Sequence, residues 1–261
     1  MRLKDLVILI TGSTTGIGAT MARLFVAEGA RVILHGRDAA RGEALRAELG
    51  SDRTAFVQGD LAEADHPAQL AEAAVRCFGR IDALVNNAAL TTRAHLPDTD
   101  VAFFDRLIAV NLRAPLMLIR ALLPALKESQ GSVLNMGSIL AHCGQSNLLA
   151  YSISKGGLMT LTRNLSDTLG PDRVRVNQIN VGWTLTENEY QTKIGDGLPP
   201  DWPEKVPLYA APSGRILQPD VIAEAAVYWV SPASRPISGS VFELEQYPLI
   251  GRVPNQENKA A

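Results

Sequence analysis

Short apolar runs alternate with stretches of helical periodicity along almost the whole chain. The runs have the length of strands, and the stretches between them repeat apolar residues every three or four positions, as one face of a helix does. The predicted strands are 6–10, 31–34, 55–57, 81–85, 132–138, 173–179 and 240–244, and the predicted helices are 17–28, 41–49, 67–78, 101–127, 148–165 and 219–230. This alternation predicts an α/β fold, a doubly wound parallel sheet with helices on both faces.

Length and composition indicate one domain, 1–261, with a small-molecule partner. A chain of 261 residues is near the upper limit for one hydrophobic core, and 46% apolar residues are typical of a globular protein. The net charge of −2 offers no basic surface for nucleic acid or an anionic membrane. The run at 6–10 is too short to span a bilayer, and we expect no other stretch to approach that length. We therefore predict no nucleic-acid or membrane partner and a cytoplasmic location.

The cysteines favour a reducing compartment. Cys77 and Cys143 are too few for a disulfide framework and lack metal-ligand spacing, so no metal site is predicted. Cys143 lies close to the candidate site described below, where we expect a small buried thiol rather than a nucleophile.

A glycine-rich loop follows the first predicted strand and opens the first helix. It reads Gly12-Ser13-Thr14-Thr15-Gly16-Ile17-Gly18. Glycines here let the backbone turn sharply and approach a pyrophosphate, which a Cβ would block. The helix N-terminus then offers free N–H groups and a positive dipole end to the phosphates. Strand, glycine loop, helix and strand together predict the dinucleotide-binding unit of a Rossmann-type fold.

The end of the second strand bears on the choice of nicotinamide cofactor. A carboxylate at this place would accept hydrogen bonds from the ribose hydroxyls of NAD. Gly36 stands there instead, and Arg37 follows directly. A guanidinium beside the ribose suits a 2′-phosphate, so NADP is favoured. The alternative cofactor is NAD, which Asp38, one position later, could bind. The alternative role for Arg37 is that of a solvated charge on a loop.

Tyr151 and Lys155 are the candidate catalytic pair. They lie four residues apart in a predicted helix and therefore share one face. A nearby fixed cation favours the phenolate, so we expect Lys155 to lower the pKa of Tyr151 and allow proton exchange with a substrate hydroxyl or carbonyl. Ser138 ends the strand upstream, at the sheet edge where open α/β sheets bind ligands.

In order and spacing, these residues resemble the short-chain dehydrogenase/reductase superfamily, in its short single-domain branch, over residues 3–245. The resemblance is carried by the glycine loop, Asp60, Asn86-Asn87-Ala88-Ala89, Asn111, Ser138, Tyr151 and Lys155. It implies that residues 1–135 mainly bind the cofactor and 136–261 mainly carry catalysis and substrate binding. It places Asp60 at the adenine amino group, with Leu61, Asn87 and Ala88 beside the cofactor, and it gives Asn86 the role of fastening the central strands.

The resemblance also implies a proton relay. Ser138 would bind the substrate oxygen, Tyr151 would exchange the proton, and Lys155 would bind the nicotinamide ribose. Asn111 would hold, through its carbonyl, a water that contacts Lys155. Because Pro115 lacks an N–H and clashes with the preceding turn, we expect the helix to be distorted near Asn111. The alternative to a relay role for Asn111 is a purely structural role as a buried side chain at this distorted turn.

The segments after the sixth strand are expected to surround the nicotinamide and the substrate. Val181 replaces the proline usual in the family, whereas Gly182 and Thr186 match as cofactor-binding residues. The resemblance implies that Thr186 contacts the nicotinamide carboxamide or a cofactor phosphate, and we expect Val181 and Thr184 to lie close to the nicotinamide. Residues 187–213 lose periodicity and contain several prolines, which predicts an irregular active-site lid.

The side chains around this site suggest a hydroxyl-rich substrate. The predicted substrate-binding residues are Ser138, Leu140, His142, Asn147, Tyr151, Trp183 and Glu189, with Gln145, Glu187 and Asn188 as further polar candidates. Trp183, Trp202 and Tyr190 are candidates to stack on a sugar, while Asn147 has the alternative of capping the Tyr151 helix.

The favoured function is an NAD(P)-dependent oxidoreductase that transfers a hydride between nicotinamide and a CH–OH/C=O group of a sugar, sugar acid or polyol. The alternative substrate is a 3-oxoacyl thioester or another ketone. A non-catalytic cofactor-binding regulatory protein would not need Asn111, Ser138, Tyr151 and Lys155 together, and an extended nucleotide-sugar epimerase would need a larger C-terminal domain.

The resemblance implies a homotetramer, with the helices around Asn111 and Tyr151 and the final strand at the interfaces. The final strand ends in Glu245-Gln246-Tyr247, where the family commonly has an Asp-Gly-Gly turn. We therefore expect a reshaped tail, 248–261, that covers a neighbouring subunit or the site.

Overall fold

One parallel sheet of seven strands organises the computed structural model, which describes residues 1–248; the predicted tail beyond lies outside the described residues. The strands are β1 (Val7–Ile10), β2 (Arg31–Gly36), β3 (Thr54–Gln58), β4 (Ala83–Asn86), β5 (Ser132–Ser138), β6 (Arg175–Val181) and β7 (Val241–Leu244). Their order, β3-β2-β1-β4-β5-β6-β7, changes direction beside β1, which is where doubly wound sheets open a ligand crevice. The predicted fold class is confirmed.

Helices cover both faces of the sheet. They are α1 (Gly16–Ala27), α2 (Ala39–Leu49), α3 (His66–Phe78), α4 (Val101–Ile108), α5 (Ala114–Ser129), α6 (Leu149–Leu169), α7 (Glu187–Gly195) and α8 (Pro219–Val230). In β1, Ile8 and Ile10 join the core beneath α1 and α8, whereas Val7 and Leu9 join the core beneath α3 and α5. Burial on both faces explains why this strand is a continuous apolar run.

The predicted distortion near Asn111 is confirmed. A π turn, Ala109–Arg113, separates α4 from α5, and Pro115 has no N–H to offer the Asn111 carbonyl four residues earlier. The whole stretch Val101–Ser129 is long and apolar enough to cross a membrane by length and composition, with half of its apolar window buried. The expectation that no stretch reaches that length is therefore wrong, although α5 packs on α3 and the sheet.

The lid, 187–213, is more ordered than predicted. Its first part is α7, which Thr186 caps by accepting a hydrogen bond from the Glu189 N–H. The acidic first turn suits the helix dipole, but no α7 residue is fully buried, so the helix has no clear apolar stripe to predict it. Farther along, Trp202 is 3% exposed and packs in a small core of its own with Val206 and Ile216.

Buried amides join the centre of the sheet to α6. Asn86 Nδ2 donates to Asn135 Oδ1 at 2.8 Å, and Asn135 Nδ2 donates to Thr162 Oγ1 at 2.9 Å. The predicted role of Asn86 in fastening the central strands is confirmed, since β4, β5 and α6 are held in register beside the site.

Candidate active site

The glycine loop between β1 and α1 is packed tightly against the segment after β4. Gly12 has φ of +62°, and a Cβ there would come 2.8 Å from the Ala88 Cα. A Cβ on Gly18 would come 2.3 Å from the Gly12 carbonyl oxygen. Asn87 Nδ2 donates 3.0 Å hydrogen bonds to the carbonyls of Thr11 and Gly12. These contacts require glycine and hold the loop in a fixed shape.

The N-terminus of α1 is suited to a phosphate. Its N-cap residue, Thr15, makes no side-chain capping bond, and the first turn holds no acidic residue, so its N–H groups are left for an anion. The cleft above it has a volume of about 820 Å³. The predicted cofactor residues that line it are Gly12, Thr14, Thr15, Gly16, Ile17, Gly18, Arg37, Asp60, Leu61, Asn87, Ala88 and Thr186. Loop, helix end and cleft together fit a dinucleotide.

Ser13 is the member of the predicted loop set that does not line the cleft. It is fully buried, and its hydroxyl accepts a 2.9 Å hydrogen bond from the His35 N–H. Its role is therefore to tie the loop to β2.

Beyond Gly36 the cleft is lined by two arginines and by Asp38, the residue that keeps NAD as the alternative. Arg37 and Arg41 both line it, and Arg41 is a residue that sequence reasoning missed. Asp38 Oδ1 caps α2 by accepting from the Arg41 N–H at 3.0 Å, and its Oδ2 lies 3.4 Å from Arg41 Nε. A Cβ at Gly36 would come 2.7 Å from Thr14 Cγ2, so a carboxylate side chain at that position would collide with the loop.

Asp60 lines the cleft with both side-chain oxygens engaged, and its contact with adenine stays a prediction. Oδ1 accepts from the Ala62 N–H at 2.9 Å, and Oδ2 accepts from Arg106 at 3.0 Å. Burial acts to raise the pKa of Asp60, but these hydrogen bonds outweigh it and hold the pKa below its ordinary value. The carboxylate therefore stays charged and fixed at the rim of the cleft.

A second cavity, of about 670 Å³, adjoins the cleft and brings together three of the four predicted catalytic residues. Ser138 at the end of β5 and Tyr151 and Lys155 on α6 line it, as do Val181 at the end of β6 and Gly182 and Thr184 after it. The Ser138 side chain is near enough to the Tyr151 hydroxyl to lower its pKa as a hydrogen-bond partner. The Lys155 ammonium lies 5.5 Å from the centre of the Tyr151 ring.

The expected effect of Lys155 on Tyr151 is wrong for this structure. Burial raises the pKa of the Tyr151 phenol, the hydrogen bond with Ser138 acts in the opposite direction, and the negative charge of Glu189 raises it further. Lys155 is itself 3% exposed, and burial lowers its pKa to about 8. Loss of water around the phenolate is the largest effect on the pKa of Tyr151, and the Lys155 ammonium donates its hydrogen bond to a backbone carbonyl rather than to the phenol.

Asn111 lies beneath this cavity rather than on its wall. Its side chain accepts from the Leu90 N–H at 2.8 Å and donates to the Leu90 carbonyl at 3.0 Å and Ser154 Oγ at 3.1 Å. The amide therefore joins the loop after β4 to α6. The π turn and Pro115 leave the Asn111 carbonyl without the usual helical donor, and the water relay through it stays a prediction.

The structure places some predicted substrate residues on the cavity and others away from it. Leu140, Gln145, Trp183, Asn188 and Glu189 line it. His142 and Asn147 do not, so their predicted contact with substrate is wrong in this structure.

The two misplaced side chains are bound elsewhere. His142 Nε2 lies 2.6 Å from Glu243 Oε1 on β7, and Asn147 Oδ1 accepts from Gln145 at 3.0 Å. Asn147 does not cap α6 either, because Leu148 is the N-cap residue and no side chain caps that end. Glu187 is exposed and accepts from Gln191 within α7.

Two further expectations concern apolar side chains. Trp202 is buried and stacks on Trp183, with 5.6 Å between the ring centres. Tyr190, on α7, also stacks on Trp202. Of these three rings only Trp183 lines the cavity, so stacking of a sugar on Trp202 or Tyr190 is wrong. Cys143 is exposed rather than buried, because the turn after β5 carries it outside the sheet edge.

Sequence reasoning missed several residues of the cavity wall. Arg93 comes from the loop after β4, Thr192 and Lys193 from α7, Tyr209 from the end of the lid and Tyr247 from the segment after β7. Glu189 and Lys193 are spaced four apart, so recognising α7 as a helix would have placed both on one face. The residues outside α7, Arg93, Tyr209 and Tyr247, carry no local signal, because only the fold brings their loops together.

Comparison with known proteins gives consistent matches over most of the chain. The family described as enoyl-(acyl carrier protein) reductase matches residues 12–245. The chain is 35% identical over 239 residues to L-fucose dehydrogenase of Mus musculus, covering 89% of this chain and 85% of that protein. It is also 35% identical over 242 residues to D-threitol dehydrogenase of Mycolicibacterium smegmatis, covering 92% and 91%.

Solved structures agree. A short chain dehydrogenase/reductase family protein superposes with a TM-score of 0.81 at 35% identity, covering 94% of this chain and 97% of the other. The 3-ketoacyl-(acyl-carrier-protein) reductase of Brucella melitensis, complexed with NADH, superposes with a TM-score of 0.81 at 31% identity, covering 93% and 97%.

Proposed function

Because the chain belongs to the short-chain dehydrogenase/reductase superfamily and is an NAD(P)-dependent oxidoreductase, we propose that its substrate is a sugar, sugar acid or polyol. The observation that carries this proposal is the substrate cavity, in which Ser138 and Tyr151 face a lid helix whose cavity side is polar. The relatives that dehydrogenate L-fucose and D-threitol support the same class.

Separate groups of residues would bind the cofactor and act on the substrate. The glycine loop and the N-terminus of α1 would hold the pyrophosphate, and Lys155 the nicotinamide ribose. When bound, the nicotinamide accepts or donates the hydride. Ser138 would hydrogen-bond the substrate oxygen and stabilise its developing charge, while Tyr151 takes or returns its proton. The Asn111 carbonyl would hold the water through which that proton reaches solvent.

NADP is the proposed cofactor. Arg37 and Arg41 offer two guanidinium groups at the ribose end, and Thr14 fills the space that an NAD-type carboxylate at position 36 would need. We expect Arg37→Ala to raise the KM for NADP by about tenfold or more, since one charge-assisted bond to phosphate is lost, while the KM for NAD changes little. A wild-type enzyme that uses NAD alone would contradict this choice.

The test of the proposed function is NAD(P)H absorbance with purified protein against aldoses, aldonates, alditols and ketones. Turnover of a polyhydroxylated substrate is the expected result. Tyr151→Phe should bind cofactor as the wild type does, measured by NAD(P)H fluorescence, yet lose nearly all turnover. Activity only on an acyl or cyclic ketone would support the runner-up, which the similarity to a 3-ketoacyl reductase favours. Full activity of Tyr151→Phe would refute the catalytic assignment.

A cytoplasmic homotetramer completes the proposal. Exposed apolar side chains on the α4 and α6 surfaces, Val101 at 76% and Ile153 at 49%, support burial by further subunits. Light scattering should give a mass near four times that of the 28.0 kDa chain. A monomer mass would contradict it.

A further inference from the structure

The lid helix presents a polar face to the substrate cavity. Asn188, Glu189, Thr192 and Lys193 all line it, and their spacing puts them on one side of α7. Ser138 and Tyr151 line the same cavity. Whatever part of a substrate projects from the reacting carbon toward the lid therefore meets hydrogen-bonding and charged groups.

Lys193 is partly buried, and its ammonium has two carboxylates and, 5.4 Å away, the Trp183 ring as neighbours, but none of them is a hydrogen-bond acceptor within range. Its side chain is 20% exposed, and its ammonium lies 3.9 Å from both Glu189 Oε1 and Asp196 Oδ2. Both distances exceed hydrogen-bond range, and among residues 1–248 no acceptor within that range is found for Nζ. An ammonium with unused donors at a cavity wall is stabilised by an acceptor on a ligand.

Arg93 adds a second cation to the same wall. Its side chain is 21% exposed and forms an ion pair with Asp196, which itself does not line the cavity. The nearby guanidinium also disfavours the charged form of Lys193, second only to burial, so the two cations are close enough to repel each other. Asp196, which pairs with Arg93 and lies 3.9 Å from Lys193, offsets that repulsion from outside the cavity lining, and an anionic group of a ligand would add to this effect from the cavity side.

One carboxylate oxygen of Glu189 already accepts a hydrogen bond within the protein. Its Oε1 accepts a 2.9 Å hydrogen bond from Trp183 Nε1, which fixes the carboxylate beside the indole. In the described residues the charged side chains that line the cavity are Arg93, Lys155, Lys193 and Glu189, an excess of positive charge. Glu189 is placed to accept hydroxyl groups of the molecule whose anionic end meets the cations.

We propose that Arg93 and Lys193 form a carboxylate-binding subsite on the lid side of the cavity, so that the enzyme oxidises or forms a carbinol of a sugar acid. This rests on the proposed function and narrows its substrate class. The Ser138–Tyr151 end receives the reacting oxygen, Glu189 the intervening hydroxyls, and the two cations the carboxylate.

Matched substrate pairs test the subsite. Steady-state kinetics of the enzyme with saturating cofactor are compared for D-gluconate and D-galactonate against the corresponding alditols, which lack the carboxylate. Lys193→Gln and Arg93→Gln should each raise the KM for the turned-over aldonate by about tenfold, the loss of about one charge-assisted bond, and change the alditol KM less than twofold. Lys193→Arg should restore most of the aldonate affinity.

Lys205→Gln is the control. This variant also removes one positive charge from the lid, but Lys205 is 67% exposed, pairs with Asp201 and does not line the cavity. It should leave both KM values unchanged. Equal losses for acid and alditol in Lys193→Gln would show that the ion cluster only holds the lid, and would overturn the subsite.

The outcomes separate this subsite from the proposed function. Turnover of alditols or aldoses with no preference for acids would keep the proposed function and remove the subsite. If a cofactor-binding protein turns over no sugar derivative, the proposed substrate class fails. The subsite is then decided by calorimetry with D-gluconate and the protein–cofactor complex, where binding by the wild type but not by Lys193→Gln supports it and absence of binding removes it.

Discussion

The Lys155 ammonium donates a 2.7 Å hydrogen bond to the carbonyl of Met136, two residues before Ser138 on β5. One catalytic side chain thereby anchors the helix that carries Tyr151 to the strand that carries Ser138. Lys155 is 3% exposed, so this bond replaces hydrogen bonds that its ammonium would make to water. Burial lowers the pKa of Lys155 to about 8. Burial of the charged Lys155 therefore positions the catalytic side chains but lowers the free energy of unfolding.

Replacing this lysine should stabilise the fold while removing activity. A folded-state pKa of about 8, against an ordinary value of 10.5, means that the charged form is destabilised at every pH below about 8. Lys155→Met should raise the free energy of unfolding at about pH 7 by up to about 3 kcal/mol. Urea unfolding should show this gain shrinking as the pH rises from about 8 past 10.5. A less stable variant at pH 7 would show that the bond to Met136 outweighs burial.

Two variants of the cavity should move the pH dependence of catalysis in opposite directions. The Ser138 hydrogen bond lowers the pKa of Tyr151, whereas the charge of Glu189 raises it. Ser138→Ala should therefore shift the rise of kcat/KM for alcohol oxidation to higher pH, besides slowing it by about a hundredfold. Glu189→Gln should shift the rise to lower pH. Glu43→Gln, an exposed change on α2, is the control, and shifts of the same sign in both cavity variants would contradict the assignment.

Local patterns were enough to predict the parts of the site that depend on local sequence. The loop from Gly12 to Gly18 follows from a strand, a turn that only glycine allows, and a helix start. The pairing of Tyr151 with Lys155 follows from helical spacing. The position of Ser138 follows because strands of a parallel sheet end at one edge. The structure brings all of these to adjoining cavities.

Environment, by contrast, could not be predicted from the sequence. The pKa of Tyr151 depends on how much water the lid excludes, which no spacing reveals. His142 contacts Glu243, a residue about a hundred positions away on the last strand, and Cys143 is exposed because the turn leaves the sheet edge. Helix α7 was missed because its amphipathic signal comes from a ligand cavity rather than an apolar core.

The segment after β7 should help to shape the substrate cavity. Gln246 accepts from the Ser213 N–H at 3.1 Å and donates to the Arg215 carbonyl at 2.7 Å, which ties this segment to the end of the lid beside Tyr247. Gln246→Ala should raise the substrate KM by about tenfold and leave the cofactor Kd unchanged, because the cofactor cleft is elsewhere. Gln191→Ala, which loses a hydrogen bond within α7, is the matched control. A changed cofactor Kd would indicate a wider collapse.

A buried histidine pair, of which His35 lines the cofactor cleft, should make the fold sensitive to acid. Nε2 atoms of His35 and His66 lie 3.1 Å apart, and burial, followed by the charge of His66, lowers the pKa of His35 from 6.5 to about 3. Above about pH 6.5 the ring is neutral in both folded and unfolded chains and contributes nothing. As the pH falls below that value, the unfolded chain binds a proton that the folded chain refuses, so stability is lost progressively down to about pH 3, by up to about 5 kcal/mol. His35→Gln keeps a hydrogen-bonding partner for His66 but does not titrate. Urea unfolding at about pH 7, 5.5 and 4.5 should therefore give a shallower loss for this variant than for the wild type, and parallel losses would assign the acid sensitivity to other groups.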